Sequence, residues 1–359
     1  MVLRHLVALC TLSCCSAHGE LTWPPSRNRG SMATAGSCHG ASPFAEFQLG
    51  TCFWFSQCCQ PGQSACTGQY RLPPAPEPPV VCGDEGLSLE PTILAGDAAR
   101  TWRDYCVPDE VCVDSTKYNP WRYPGKAPVL SSCGMAGGWK TATQVLQPAN
   151  VRPGMDGVDL PPLREPAQVW RRGSTAEVAF SIYVNHGGGY AYRLCPSNEP
   201  LTEACFSRGH LNFVGVTSWV QFGASRANRT AFPATRVRSE GRLWSKNPIP
   251  PCAGIDGGDY MSPCDSPMWP PPLPGPWPQL WGIGLGRCFP SNGTHPAGGG
   301  DKSCSEAEER AWAERFGFNI VDEVAVPVDI AAGSYTLSWR WDVEQTPQVW
   351  TNCADIQIV

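Results

Sequence analysis

The residues most able to do chemistry stand at Ala17-His18-Gly19-Glu20-Leu21. Met1 to Ala17 has the parts of a secretory leader: a short basic end at Arg4 and His5, an apolar run from Leu6 to Leu12, and small residues at Cys15-Ser16-Ala17. Cleavage after Ala17 makes His18 the first residue. Its α-amino nitrogen and ring Nδ1 can then close a chelate ring on one metal ion. An α-amine has a pKa of about 7.7–8.0, so a metal can displace its proton near neutral pH. Two nitrogens from His18 and one from a second histidine make a three-nitrogen, T-shaped set that suits copper.

Five histidines follow the leader: His18, His39, His186, His210 and His295. His186 is the best partner for His18. It stands in Asn185-His186-Gly187-Gly188-Gly189-Tyr190, where a strand turns back on itself, so the ring is held while the glycines keep the approach open. His39 is the strongest rival, because Cys38 could anchor its loop near the N-terminal segment.

The elements that must carry these residues lie mostly in the second half. Ala176 to Val184 alternates apolar and polar as a half-buried strand does, and Tyr190 to Leu194 reads as its return. Leu211 to Phe222 alternates less cleanly. Asn319 to Val328, Gly333 to Asp342 and Ala354 to Val359 read as three more strands, and Glu306 to Phe316 has helical composition. His18 to about Asn150 shows little periodicity and reads as long loops held by disulfides, with a few short helices or strands. Leu72 to Val80 and Met268 to Trp281 are too rich in proline for the interior of an element. Short strands, turns and cysteines together predict an all-β, antiparallel β-sandwich with long disulfide-stapled loops, forming one domain over 18–359 behind a signal peptide at 1–17.

The chain has 359 residues and 19 cysteines; Cys10, Cys14 and Cys15 fall in the leader, which leaves 16. An even number behind a secretory leader points to an oxidising compartment and as many as eight disulfides, in a secreted, extracellular protein. The irregular spacing disfavours zinc-binding pairs. Leader removal leaves 26 basic against 32 acidic side chains, which argues against nucleic acid or an anionic membrane as partner. No later stretch has the ~18 apolar residues of a membrane span. Asn228-Arg229-Thr230 and Asn292-Gly293-Thr294 are acceptor sequons for N-linked glycan.

Three segments, taken in order, resemble the lytic polysaccharide monooxygenases. They are the start His18-Gly19-Glu20-Leu21 through Arg27, the turn at Asn185-His186 followed by Tyr192-Arg193-Leu194-Cys195, and the ending Gln348-Val349-Trp350-Thr351-Asn352-Cys353-Ala354. That family comprises secreted copper enzymes with an immunoglobulin-like sandwich, in which a processed N-terminal histidine and one internal histidine form a copper "histidine brace". The resemblance implies that His18 and His186 are the metal ligands and bind one copper per chain. It implies Gln348 as a hydrogen-bond donor to the reacting oxygen, with Glu344 or Gln345 as further candidates. It also puts Trp350 where the family usually has an axial Tyr or Phe. This last is a departure, since indole carries no lone pair able to ligate copper. The bland alternative for Trp350 is a core aromatic packed on the Cys353 disulfide.

The implied activity is oxidative cleavage of glycosidic bonds in an insoluble β-linked polysaccharide such as chitin or cellulose. It would use an external electron donor with hydrogen peroxide or dioxygen, and a monomer lying on the polymer surface. Two other readings stand beside it: a secreted copper carrier without turnover, and a lectin-like polysaccharide-binding module in which His18 is incidental. A glycoside hydrolase needs a carboxylate pair at a set separation, and no such pair can be picked out of the sequence.

Overall fold

The computed structural model describes residues 18–28, 54–55, 124–125, 129, 131–136, 156–163, 167–184, 187–223, 225–239, 241–249, 318–343 and 349–359. Two sheets pack face to face. The first has the order β1 (His18–Trp23), β5 (Thr175–Val184), β11 (Phe318–Ala325), β7 (Thr217–Phe222) and β8 (Arg229–Pro233). The second runs β3 (Met135–Ala136), β2 (Trp54–Phe55), β13 (Val349–Ile358), β12 (Gly333–Asp342), β6 (Gly189–Pro196), β10 (Arg242–Lys246) and β9 (Arg236–Ser239). A short strand β4 (Gln168–Trp170) runs parallel to the far end of β13, and the other pairings are antiparallel. The architecture is the antiparallel β-sandwich read from the sequence.

The period of two in each strand sorts the residues between faces. Leu21, Phe180, Ile320 and Val220 form one cross-strand row of the first sheet and point into the core. The adjacent row, Glu20, Ser181, Asn319 and Gln221, points the other way and is buried as well. Opposite them, Tyr190, Tyr192, Leu337, Trp339, Trp341, Trp350 and Ile356 fill the core from the second sheet. Each such side chain, fully buried, contributes roughly 1.5–3 kcal/mol.

A charged pair is sealed inside this core. Asp322 accepts from Tyr190 Oη at 2.8 Å, from Arg236 at 3.1 Å and from Ser218 Oγ, while Arg236 donates to Ser245 Oγ at 2.6 Å and lies over the Phe213 ring. Buried charges persist only when paired and hydrogen-bonded in this way. On the outer face of the second sheet, Glu203 of the short helix α1 (Glu203–Arg208) bridges Arg193 at 2.6 Å and Arg340 at 3.0 Å. Burial pushes the Glu203 carboxyl up, but the two guanidinium groups outweigh it and hold it at about 2.

Several boundaries differ from the sequence expectations. β1 is a full member of a sheet rather than loop, because its free edge is tied to β13 by a side chain. β13 begins at Val349, five residues before the predicted start. β11 ends at Ala325, and Val328 beyond it is 78% exposed in the turn before β12. The Leu211–Phe222 expectation narrows to a strand from Thr217, with Phe213 held to Val324 by a single bridge. β8, β9, β10 and α1 were not anticipated. Two disulfides are described, Cys133–Cys353 and Cys195–Cys205, as suits an oxidising compartment. The leader, the Pro-rich stretches 72–80 and 268–281, and the expected helix at 306–316 lie outside the described residues. Among the described residues no helix is long and apolar enough to cross a membrane.

Candidate metal centre

The register of β1 on β5 sets His18 opposite Val184, with a bulge between His18 and Gly19. β5 ends at Val184, and His186 stands two residues on in the chain, outside the described residues, immediately before Gly187. The start of the first strand therefore sits against the end of the strand that leads into the predicted ligand turn. Of His18 itself the backbone is described.

The far side of the turn is held tightly. Gly187 and Gly188 have φ of +63° and +86°, in the left-handed region that favours glycine. A Cβ on Gly188 would lie 2.0 Å from the Asp342 carbonyl oxygen, so the backbone presses directly on β12. The Gly187 carbonyl accepts from Trp341 Nε1 at 2.8 Å and from Asn247 Nδ2 at 3.3 Å, and Asn247 N donates to the Gly188 carbonyl at 2.8 Å. Asn247, one residue past β10, carries no sequence signal that would have marked it. Trp341 was visible only as one apolar position of an alternating strand.

The start of β13 belongs to the same end of the sandwich. Val349 pairs with Asp342, Asp342 with Gly189, and Gly189 with Lys246, one row across the second sheet. Gln348 precedes Val349 and, with Glu344 and Gln345, lies outside the described residues. The next row inward is Trp350, Trp341, Tyr190 and Ser245.

Trp350 is fully buried and belongs to the core between the sheets. Cys353, three positions on, faces the opposite way and joins Cys133, Cys195, Cys205 and Phe206 in a separate cluster. Trp350 is thus a core aromatic, but on the face away from the disulfide.

Glu20 lies on the same strand as the candidate ligand His18, two positions after it. Complete burial pushes its carboxyl up from 4.5 to about 8.

His210 is the one rival histidine within the described residues. It bridges Arg193, four residues along β6 from Gly189, a distance of about 13 Å at strand rise. Its Nε2 lies 2.7 Å from the Leu243 carbonyl, and burial lowers its pKa to about 4. A ring nitrogen committed to that carbonyl is a neutral N–H donor. His39 and His295 lie outside the described residues. Among the described residues no group of three or more His, Cys, Asp or Glu side chains gathers as a metal site. A brace made from a terminal amine and two imidazoles is a different donor set.

No protein-family model matches the chain, and no curated protein matches it in sequence. Solved structures with some likeness include an AA15 lytic polysaccharide monooxygenase from Thermobia domestica in the Cu(I) state, at TM-score 0.24 and 14% identity over 53% of this chain. The chain spans 62% of that structure's length. The cellulose-active lytic polysaccharide monooxygenase CelS2, solved with copper, gives TM-score 0.25 and 11% identity over 68% of this chain and 71% of that one. A family 123 glycoside hydrolase from Clostridium perfringens gives 0.20 and 8% over 55% and 24%. TM-scores this low leave any functional reading to rest on the chain's own residues.

Proposed function

We propose that the mature chain, a single secreted domain beginning at His18, is a copper-dependent monooxygenase that cleaves an insoluble β-linked polysaccharide by oxidation. The observation that carries this reading is the pairing of His18 with Val184, at the end of the strand that runs on to His186. The α-amine and ring of His18 and the ring of His186 would hold the metal, a donor set whose chemistry fits copper. Copper bound there supplies one-electron activation of peroxide or dioxygen, given an external reductant, for oxidation of a sugar C–H beside the glycosidic bond.

The chain's own residues do the rest. Gly188 lets the ligand turn lie directly on β12, and the hydrogen bonds of the Gly187 carbonyl fix where the turn leaves the sheet. Gln348, just ahead of β13, is the candidate for orienting the reacting oxygen by hydrogen bonding. An insoluble polymer cannot enter a cleft, so the substrate would lie across this end of the sandwich.

The test is to load mature protein with copper, add ascorbate and hydrogen peroxide, and mass-analyse soluble products from a panel of insoluble polysaccharides. Oxidised oligosaccharides from one polymer are the expected result. Copper bound at one per chain without such products would favour the carrier reading. That reading draws on Trp350, a buried indole with no lone pair able to ligate a metal. Absence of copper binding would sink both.

A further inference from the structure

We propose that Trp341 is a positioning residue that ties the two histidine-bearing segments into one unit; the inference rests on the brace reading above. The indole touches both segments. On one side a Cβ built on Gly19 would lie 2.9 Å from Trp341 Cε3 and Cζ3, so the ring packs closely against the bare backbone next to His18. On the other side Nε1–H donates to the carbonyl of Gly187, the residue next to His186, at 2.8 Å. One rigid ring spans from the residue after the first ligand to the residue after the second.

Trp341 is itself fixed. It is fully buried, its strand is paired on both sides at this position, to Trp350 and to Tyr190, and the Trp339 ring lies 6.3 Å away. None of the other ring side chains can do both tasks. Phenylalanine has the flat face but no donor. Tyrosine puts its O–H beyond the ring's end rather than on its flank. Histidine has a donor but too little face. Glycine at position 19 is the complementary requirement, since any side chain there would collide with the ring. The His-Gly pair at the start of the mature chain is therefore one half of a contact whose other half is Trp341. Groups that orient metal ligands at one remove typically change metal affinity or activity about 10–100-fold when altered.

The experiment uses Trp341→Phe in the full mature chain, which keeps the face and removes the donor. Val324→Ala, in the core at the opposite end of β11, serves as a control of similar destabilisation. Copper(II) affinity by competition and the electron paramagnetic resonance spectrum are measured for both. Trp341→Phe should weaken copper by about 10-fold or more and shift the parallel parameters, while Val324→Ala should leave affinity and spectrum as in wild type. In the metal-free protein, amide hydrogen exchange should quicken in Trp341→Phe at Asn247, which is bonded to the Gly188 carbonyl, and in Trp341→Leu, which loses the ring face as well, at Leu21 on β1 too. An unchanged spectrum and affinity in Trp341→Phe overturns the proposal, as does exchange that stays slow at Asn247 in Trp341→Phe or at Leu21 in Trp341→Leu. If wild type binds no copper, the brace reading fails, and hydrogen exchange alone decides whether Trp341 ties the segments.

Discussion

The side chain of Asn352, on the last strand, accepts a hydrogen bond from the backbone amide of Leu21, on the first, at 2.7 Å. The two residues are 331 positions apart. β1 is the edge of its sheet, so this bond satisfies a backbone donor that no neighbouring strand reaches. Asn352→Ala should cost about 1–3 kcal/mol, the penalty for stranding a buried donor. Chemical denaturation checks this. The same variant should weaken copper more than Val324→Ala does, because β1 carries His18.

The mature chain should begin at His18. A chelate needs the free α-amine there, so mass spectrometry of secreted protein should find His18 at the N-terminus. Protein made with one extra residue before His18 should fold with the same thermal midpoint yet lose copper binding. Equal copper affinity in the extended form would remove the terminal amine from the site.

Glu20 gives a pH prediction with a definite sign. Its carboxyl titrates near 8 when folded, because of burial, against 4.5 ordinarily. Between those values the native state holds a proton that the unfolded chain has lost. Stability therefore falls as pH rises through that window. Glu20→Gln removes the titration, so its stability relative to wild type should climb from pH 4.5 to 8 and then level off. His210 works the opposite way between about 4 and 6.5, since it is buried neutral. Subtracting wild type from Glu20→Gln cancels that contribution. A flat difference across the window would mean that Glu20 is ionised in the folded protein.

Trp350 separates a copper neighbour from a plain core residue. Truncation to Ala should cost about 3–5 kcal/mol whatever its role, because the indole is fully buried. Trp350→Tyr discriminates. A residue over the metal's axial side should change the parallel parameters of the copper(II) spectrum and leave three-nitrogen superhyperfine splitting intact. A spectrum identical to wild type would take Trp350 out of the site.

Much of the sandwich was legible because half-buried strands alternate. Gly333 to Asp342 was read to the residue, and Ala176 to Val184 to within one. β1 was not, since His18-Gly19-Glu20-Leu21-Thr22 buries its polar side too: Glu20 and Thr22 are fully enclosed, with Thr22 Oγ1 bonded to Asn319 at 2.7 Å. The face that carries Leu21 carries only Gly19 before it, so the apolar side of this short strand offers too few residues to show a period. β13 was begun too late for a similar reason, because Thr351 and Asn352 are buried polar residues that break the pattern. In the candidate site, the histidines could be named from chain chemistry. Trp341 and Asn247 could not, since their roles are contacts with backbone carbonyls rather than with any side-chain motif.

The bond between Leu21 and Asn352 also bears on how the protein is made. The first strand leaves the ribosome long before β5, the neighbour it pairs with, and longest of all before β13, which holds its other edge. So non-local a pairing is slow to form, and under vectorial synthesis the segment made first must wait for the segment made last before this bond can close. Under the brace reading, the nascent chain at first has no metal site to fill. Copper can be acquired only once the leader has been cut away and the chain through His186 has been made.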